Sequence, residues 1–391
     1  MPASIAHMIL AKKVRAELQA DAALKDFVND VLVKHSTFME LGALGPDLPY
    51  YKGISFVRAS VKTLADHPDK PAGVDQWSYQ THSLITNQFA LEMLKTMFED
   101  RAFENEPWEP QDQKNFAFIC GYLTHMAADQ IIHPVINLIA GPYYKTNAAR
   151  TIHREAEVTQ DVHLFNQNKE MSQTGDFRRE AFDSWCDIKK GLGLASWLLP
   201  WLFSDDSLFL RLEYLIQRSL LETYFVTPTA DDIGDWIIGT LNVLKVVNGI
   251  GPFGPIGPFG PYGPYEQATK NLSDQGKFNL FIGLKPAADA SKARREAYEK
   301  QIGDKNYLDF FNFAIELASI YVKTAIRIFQ SRALTKKLEQ RYKQIVSDAD
   351  LGEPLESDIL ETARKAFNDW PEAAVKSKKS EEKSGQIQQS S

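Results

Sequence analysis

The stretch GYLTHMAADQIIHP, residues 121–134, decides how this chain is read. Apolar residues recur from position 113 at i, i+3 and i+4, so 113–133 reads as one helix. His125, Asp129 and His133 then fall at i, i+4 and i+8, a stripe that drifts about 40° per step. Along the axis the two histidines stand about 12 Å apart, whereas a zinc–nitrogen bond is about 2.1 Å long. They cannot share an ion. The stripe therefore predicts at least two metals with Asp129 between them as a bridge. Pro134 disfavours helical backbone at His133, which puts that ligand at a helix end or a kink.

A second block, TIHREAEV at 151–158, repeats the one-turn spacing with His153 and Glu157 on a separate helix. Set beside the end of the first helix, this pair gives a three-ligand group of His133, His153 and Glu157. Three protein ligands plus water is the catalytic zinc pattern rather than the closed structural one. A third block, LGALGPDLPYY at 41–51, holds Asp47 in a proline-bracketed loop that limits backbone freedom. Asp47 alone reads as an ordinary turn residue, His82 as a packed histidine opening the 81–100 helix, and His7 as equally weak. Conjunction changes this. All eight histidines precede position 164, and imidazole with carboxylate is the ligand mixture that zinc takes. His35, His67 and His163 have no partner at one-turn spacing and read as structural.

At these residues the chain resembles the zinc-dependent phospholipase C family, all-helical hydrolases related to the single-strand-specific zinc nucleases. The family pattern runs from an early His to a loop Asp, a lone His, H-x3-D with a following His, then H-x3-E. His7, Asp47, His82, His125, Asp129, His133, His153 and Glu157 match it in order, within a likeness covering about residues 1–245. The resemblance implies two to three zinc ions. One is held by Asp47, His82, His125 and Asp129, a second by His133, His153 and Glu157. The third takes His7, Asp129 as bridge and the free amino terminus, which is Pro2 once the initiator Met is removed. It also implies Asp47 as ligand, general base or both, and cleavage of a phospholipid or other phosphodiester. Two alternatives stand beside it: a nuclease or nucleotidase on the same metals, and a non-catalytic, metal-stabilised protein that binds lipid or a partner. Leu48 follows the loop Asp where phosphatidylcholine-preferring members place an aromatic, which argues against a choline cage.

Composition bounds the rest. The chain has 391 residues, 44% hydrophobic, with a net charge of -7, enough for a large core and against an electrostatic grip on duplex nucleic acid. Two cysteines, Cys120 and Cys186, exclude a disulfide framework and read as reduced, buried thiols. The first residues show no secretory signal, which leaves a cytoplasmic protein, with or without membrane association, as the expectation.

Helical periodicity also marks 4–20, 22–35, 151–168, 208–224, 232–247, 307–331, 333–347 and 356–369, the last with Ser357 and Asp358 near its N-cap. The fold class is all-α: a catalytic domain at 1–245, a Gly-Pro-apolar linker at 246–266, a helical extension at 267–371 and a polar tail at 372–391. Two segments interrupt the pattern, GLGLASWLLPWLF at 191–203 and GPFGPIGPFGPYGPY at 251–265. Each has a plain reading, a Pro-kinked core helix and a packed loop respectively, and a sharper one as a peripheral membrane contact.

Overall fold

The structure, a computed structural model, describes residues 4–52, 76–99, 108–141, 207–247, 292–332, 334–348 and 358–370, together with 149, 153, 156, 157, 160, 161 and 164. Pro2, the segments 191–203 and 251–265, His67, His163, Cys186, Ser357 and the tail 372–391 lie outside the described residues. Cys120 is buried and free.

Every regular element among the described residues is helical. In chain order these are α1 (Ser4–Ala20), α2 (Lys25–Phe27, continuing as a π-helical stretch Val28–Val33), α3 (Ser36–Gly42), a 3-10 helix (Gly45–Tyr51), α4 (Gln76–Ser83), α5 (Thr86–Glu99), α6 (Pro110–Ala140), α7 (Ser207–Tyr224), α8 (Ala230–Val247), α9 (Lys292–Ile302), α10 (Tyr307–Ser331), α11 (Lys336–Ile345) and α12 (Ile359–Asn368). No described helix is long and apolar enough to cross a membrane.

The centre of the fold is α6, which at 31 residues is about 46 Å long. Phe116, Ala117, Phe118, Ile119, Tyr122 and Leu123 are all buried, so it presents apolar surface all round, as a core helix does. It starts at a capping box of Glu109 and Asp112 with Pro110 in the first turn, where a missing N–H costs nothing. It does not stop at His133. Pro134 lies inside the helix, which continues to Ala140. One proline removes one backbone bond, and burial of Val135 and Ile136 outweighs that loss.

Helix α10 packs antiparallel along α6. Phe329 meets Phe116 with centroids 4.1 Å apart near the start of α6, while Phe311 and Ile132 line one cavity near its far end. A buried polar bridge joins the two helices: the Tyr321 hydroxyl donates to Gln130 Oε1 at 2.8 Å and accepts from the Ser347 N–H at 3.1 Å. Gln130 Nε2 donates in turn to the Ser347 carbonyl at 3.0 Å. The buried apolar residues of α1, α6, α10 and α11 belong to a single core.

Two other boundaries differ from the periodicity. The expected 81–100 helix is two helices, broken at Leu84–Ile85, where Ile85 takes a φ of 41°. His82 therefore closes α4 instead of opening a helix. The end of α4 is drawn into other bonds: the Tyr224 hydroxyl lies 2.9 Å and 2.8 Å from the Gln80 and Leu84 carbonyls, and His82 Nδ1 takes the Ser78 carbonyl at 2.7 Å. The Asp47 loop is a 3-10 helix whose prolines supply helical φ without a donor. Helix α9 had no periodic signal. Asp358 occupies the N-cap of α12, though its side chain makes no capping bond.

Candidate metal centre

Five pieces of backbone deliver the candidate set: α1 carries His7, the 3-10 helix Asp47, α4 His82, α6 His125, Asp129 and His133, and the 153–157 stretch His153 and Glu157. The tightest join lies between α3 and α6. A Cβ on Gly42 would fall 1.9 Å from the Phe118 carbonyl oxygen, and one on Gly121 would fall 1.9 Å from that of Met39. Only glycine at both positions lets the backbones approach this closely. That approach puts the Ala43 carbonyl 2.8 Å from His125 Nδ1. A carbonyl can only accept, so Nδ1 carries the proton and Nε2 presents its lone pair. The Ser78 carbonyl fixes His82 in the same tautomer.

The structure brings all eight side chains together. His82 Nε2 lies 3.2 Å from Asp47 Oδ1 and 3.8 Å from Asp129 Oδ2, while His125 Nε2 lies 3.0 Å from that same oxygen. The other Asp129 oxygen, Oδ1, is 3.4 Å from both His7 Nε2 and His133 Nε2. Glu157 Oε1 stands 3.3 Å from His133 Nε2 and 3.0 Å from His153 Nε2. The His7 and His125 rings stack at 3.7 Å. Asp129 thus turns each oxygen toward a different pair of histidines.

Ligand atoms of three groups lie within 4.8 Å of one another: His7, His125 and Asp129; Asp47, His82 and His125; and His133, His153 and Glu157. The first two overlap. With Nδ1 bonded to Ala43, His125 has one nitrogen to give. If it goes to the Asp47–His82 group, an ion beside His7 keeps two ligands among the described residues, His7 and Asp129.

Electrostatics test whether zinc fits. Asp47, Asp129 and Glu157 are carboxylates at 1%, 1% and 4% exposure, and buried anions need positive charge beside them. Asp129 Oδ1 and Oδ2 and Asp47 Oδ2 find no partner with hydrogen-bond geometry among the described residues. Imidazolium supplies the charge in the metal-free chain. Burial works against a proton on His125, but the carboxylates of Asp129 and Asp47 outweigh it and hold the ring at about 9. Burial likewise opposes a charged His133, and Asp129 and Glu157 raise it. His7 goes the other way, to about 4, because burial dominates and His125 repels it. Burial also lowers His153. Asp129 and Glu157 are pushed up by burial yet held well below the usual carboxylate range by the surrounding histidines. A cluster of buried anions that must borrow protons, with lone pairs converging on shared points, is what a divalent cation completes.

Among the described residues, the one histidine outside the set, His35, contacts Gln113 at 3.3 Å. Three contributors were not anticipated from sequence. Gln160 is buried beside the cluster, and its spacing of three from Glu157 and seven from His153 is a helical signal that marks the same face. Tyr307 and Phe311 of α10 line the cavity at the centre. Lying some 150 residues along the chain from Glu157, they carry no local signal.

Residues 6–199 match the family model described as zinc dependent phospholipase C. No curated protein and no solved structure matches the chain.

Proposed function

From the premise that over residues 6–199 this chain belongs to the zinc-dependent phospholipase C family, we propose that it hydrolyses a phospholipid at the phosphodiester bond, releasing diacylglycerol and a phosphorylated head group. The observation that carries this reading is Asp129, whose two oxygens face different histidine pairs at 3.0–3.8 Å, the geometry of a carboxylate shared between ions. Zinc bound there supplies Lewis acidity toward phosphoryl oxygens and brings the pKa of water toward neutrality.

The chain's own residues do the rest. Asp47 turns Oδ1 toward His82, while its Oδ2 lacks a hydrogen-bond partner among the described residues. That second oxygen accepts the proton of the attacking water. The Ala43 and Ser78 carbonyls hold His125 and His82 in the tautomer that leaves Nε2 available, so no reorganisation is needed when substrate arrives. His133 is the most exposed of the eight side chains, at 17%, and marks the side from which substrate enters.

Elemental analysis of the chain purified without added metal is expected to find about two to three zinc ions. Asp129→Asn is expected to keep the helical fold and abolish release of phosphorylated head group from mixed phospholipid vesicles. Zinc below one ion per chain, or full hydrolysis by Asp129→Asn, would overturn the reading. Preference for single-stranded DNA over the vesicles on one preparation would transfer it to the nuclease alternative.

A further inference from the structure

One side of the metal centre opens into a narrow, partly open cavity. Four of the candidate ligands, His7, Asp129, His133 and Glu157, line it, and Gln160, Tyr307 and Phe311 complete much of the rest. Tyr307 and Phe311 come from the first turns of α10, outside the residues that match the family. Gln160 is 1% exposed, and its Nε2 has no hydrogen-bond partner among the described residues. A buried amide donor without a partner is costly and uncommon. Here it is kept one turn from Glu157, in a cavity whose other contributors are candidate metal ligands and apolar or aromatic side chains. Such a donor suits an anionic oxygen that arrives with a ligand. The rings line the cavity with apolar surface, and a hydrogen bond to a charged acceptor is stronger where the local dielectric is low.

We propose that Gln160 is a substrate-binding residue, donating its carboxamide N–H to a non-bridging phosphoryl oxygen in the cavity walled by Tyr307 and Phe311. This rests on the phosphodiesterase reading above. The subsite takes its polar contact from the ligand-bearing helix and its apolar wall from the C-terminal helices, so neither part of the chain forms it alone.

The test is calorimetric binding of inorganic phosphate to the zinc-loaded full chain. Gln160→Met keeps the length of the side chain and removes the donor. It is expected to retain wild-type zinc content, to melt at the same temperature or higher because no donor is stranded, and to bind phosphate about tenfold more weakly or worse. Gln160→Glu, which replaces the donor with a charged acceptor, is expected to weaken phosphate further at unchanged zinc content. A Gln160→Met affinity within about twofold of wild type, a small fraction of what a hydrogen bond to a charged group contributes, would overturn the inference. So would loss of zinc or of stability in that variant, since Gln160 would then hold the ligand helix rather than substrate. Wild-type protein that carries zinc and binds phosphate but cleaves no phosphodiester defeats the enzymatic reading and leaves the Gln160 contact standing.

Discussion

Alanine at Gly121 sets two effects of opposite sign against each other. In the interior of a long helix, Gly→Ala adds about 0.5–1 kcal/mol of stability. The packing argues the other way. The new Cβ would lie 1.9 Å from the Met39 carbonyl oxygen and 2.7 Å from the Ala43 nitrogen, both backbone atoms, where ordinary contacts are about 3.5 Å. Relief requires α3 to move off α6 by roughly 1.5 Å, at an overpacking cost of about 1–3 kcal/mol. The same movement stretches the 2.8 Å bond between His125 and Ala43 beyond hydrogen-bonding range, for about another 0.5–1.5 kcal/mol. The net expectation is a loss of about 0.5–4 kcal/mol, read from urea unfolding of the metal-free chain. Displacing α3 also displaces the 3-10 helix that carries Asp47. Zinc stoichiometry should therefore fall by about one ion, from the Asp47–His82–His125 group, with the His133–His153–Glu157 group still loaded. A variant more stable than wild type with full zinc content would refute the reasoning, because helix propensity would have beaten a contact that the backbone cannot relieve.

Three further expectations follow from other parts of the molecule. Tyr321→Phe removes the hydroxyl that joins Gln130 to Ser347, and should cost about 1–3 kcal/mol in urea unfolding while leaving zinc content unchanged; an unaltered midpoint would show that the bridge adds nothing. Glu213 is buried, and burial with the neighbouring Asp231 holds its carboxyl up at about 7. A folded pKa above the unfolded one means that stability falls as pH rises from about 4.5 to 7, so Glu213→Gln should stabilise the chain by about 1–3 kcal/mol at pH 8 and by nothing below pH 4.5. Equal effects at both pH values would be inconsistent with a raised pKa. His125 and His133 both carry raised values in the metal-free chain and must lose their protons to bind zinc. Zinc uptake at pH 7.5 should thus release about one proton from His125 and a further fraction of one from His133, and affinity should drop as pH falls; calorimetry in buffers of different ionisation enthalpy would expose the error if no protons were released.

Local spacing made part of the centre legible. His125, Asp129 and His133 share one helix, so their mutual geometry follows from 3.6 residues per turn, and the same holds for His153 and Glu157. Local rules failed where tertiary contacts overrode them. Pro134 predicts a helix end or a kink at His133, yet the helix runs on to Ala140 because residues beyond it are buried. His82 reads as opening a helix and instead closes one, with Ile85 at a φ of 41° and the Thr81 and Leu84 carbonyls accepting from the Tyr122 and Tyr224 hydroxyls. Neither outcome is encoded within a turn of the residue concerned.

By itself the sequence determined that the chain is helical, that it carries carboxylates and histidines at one-turn spacing, and that two of those histidines stand too far apart for one ion. These are consequences of helix geometry and need no knowledge of where the helices lie. Only the tertiary structure decided that His82 and His7 reach the Asp129 carboxylate and that Asp47 reaches His82, with glycines on α3 and α6 letting two backbones touch. It alone placed Tyr307 and Phe311 beside the centre, because the antiparallel packing of α10 on α6 joins residues that no periodicity can relate. It also decided which nitrogen of His125 is available, through a carbonyl 82 residues away.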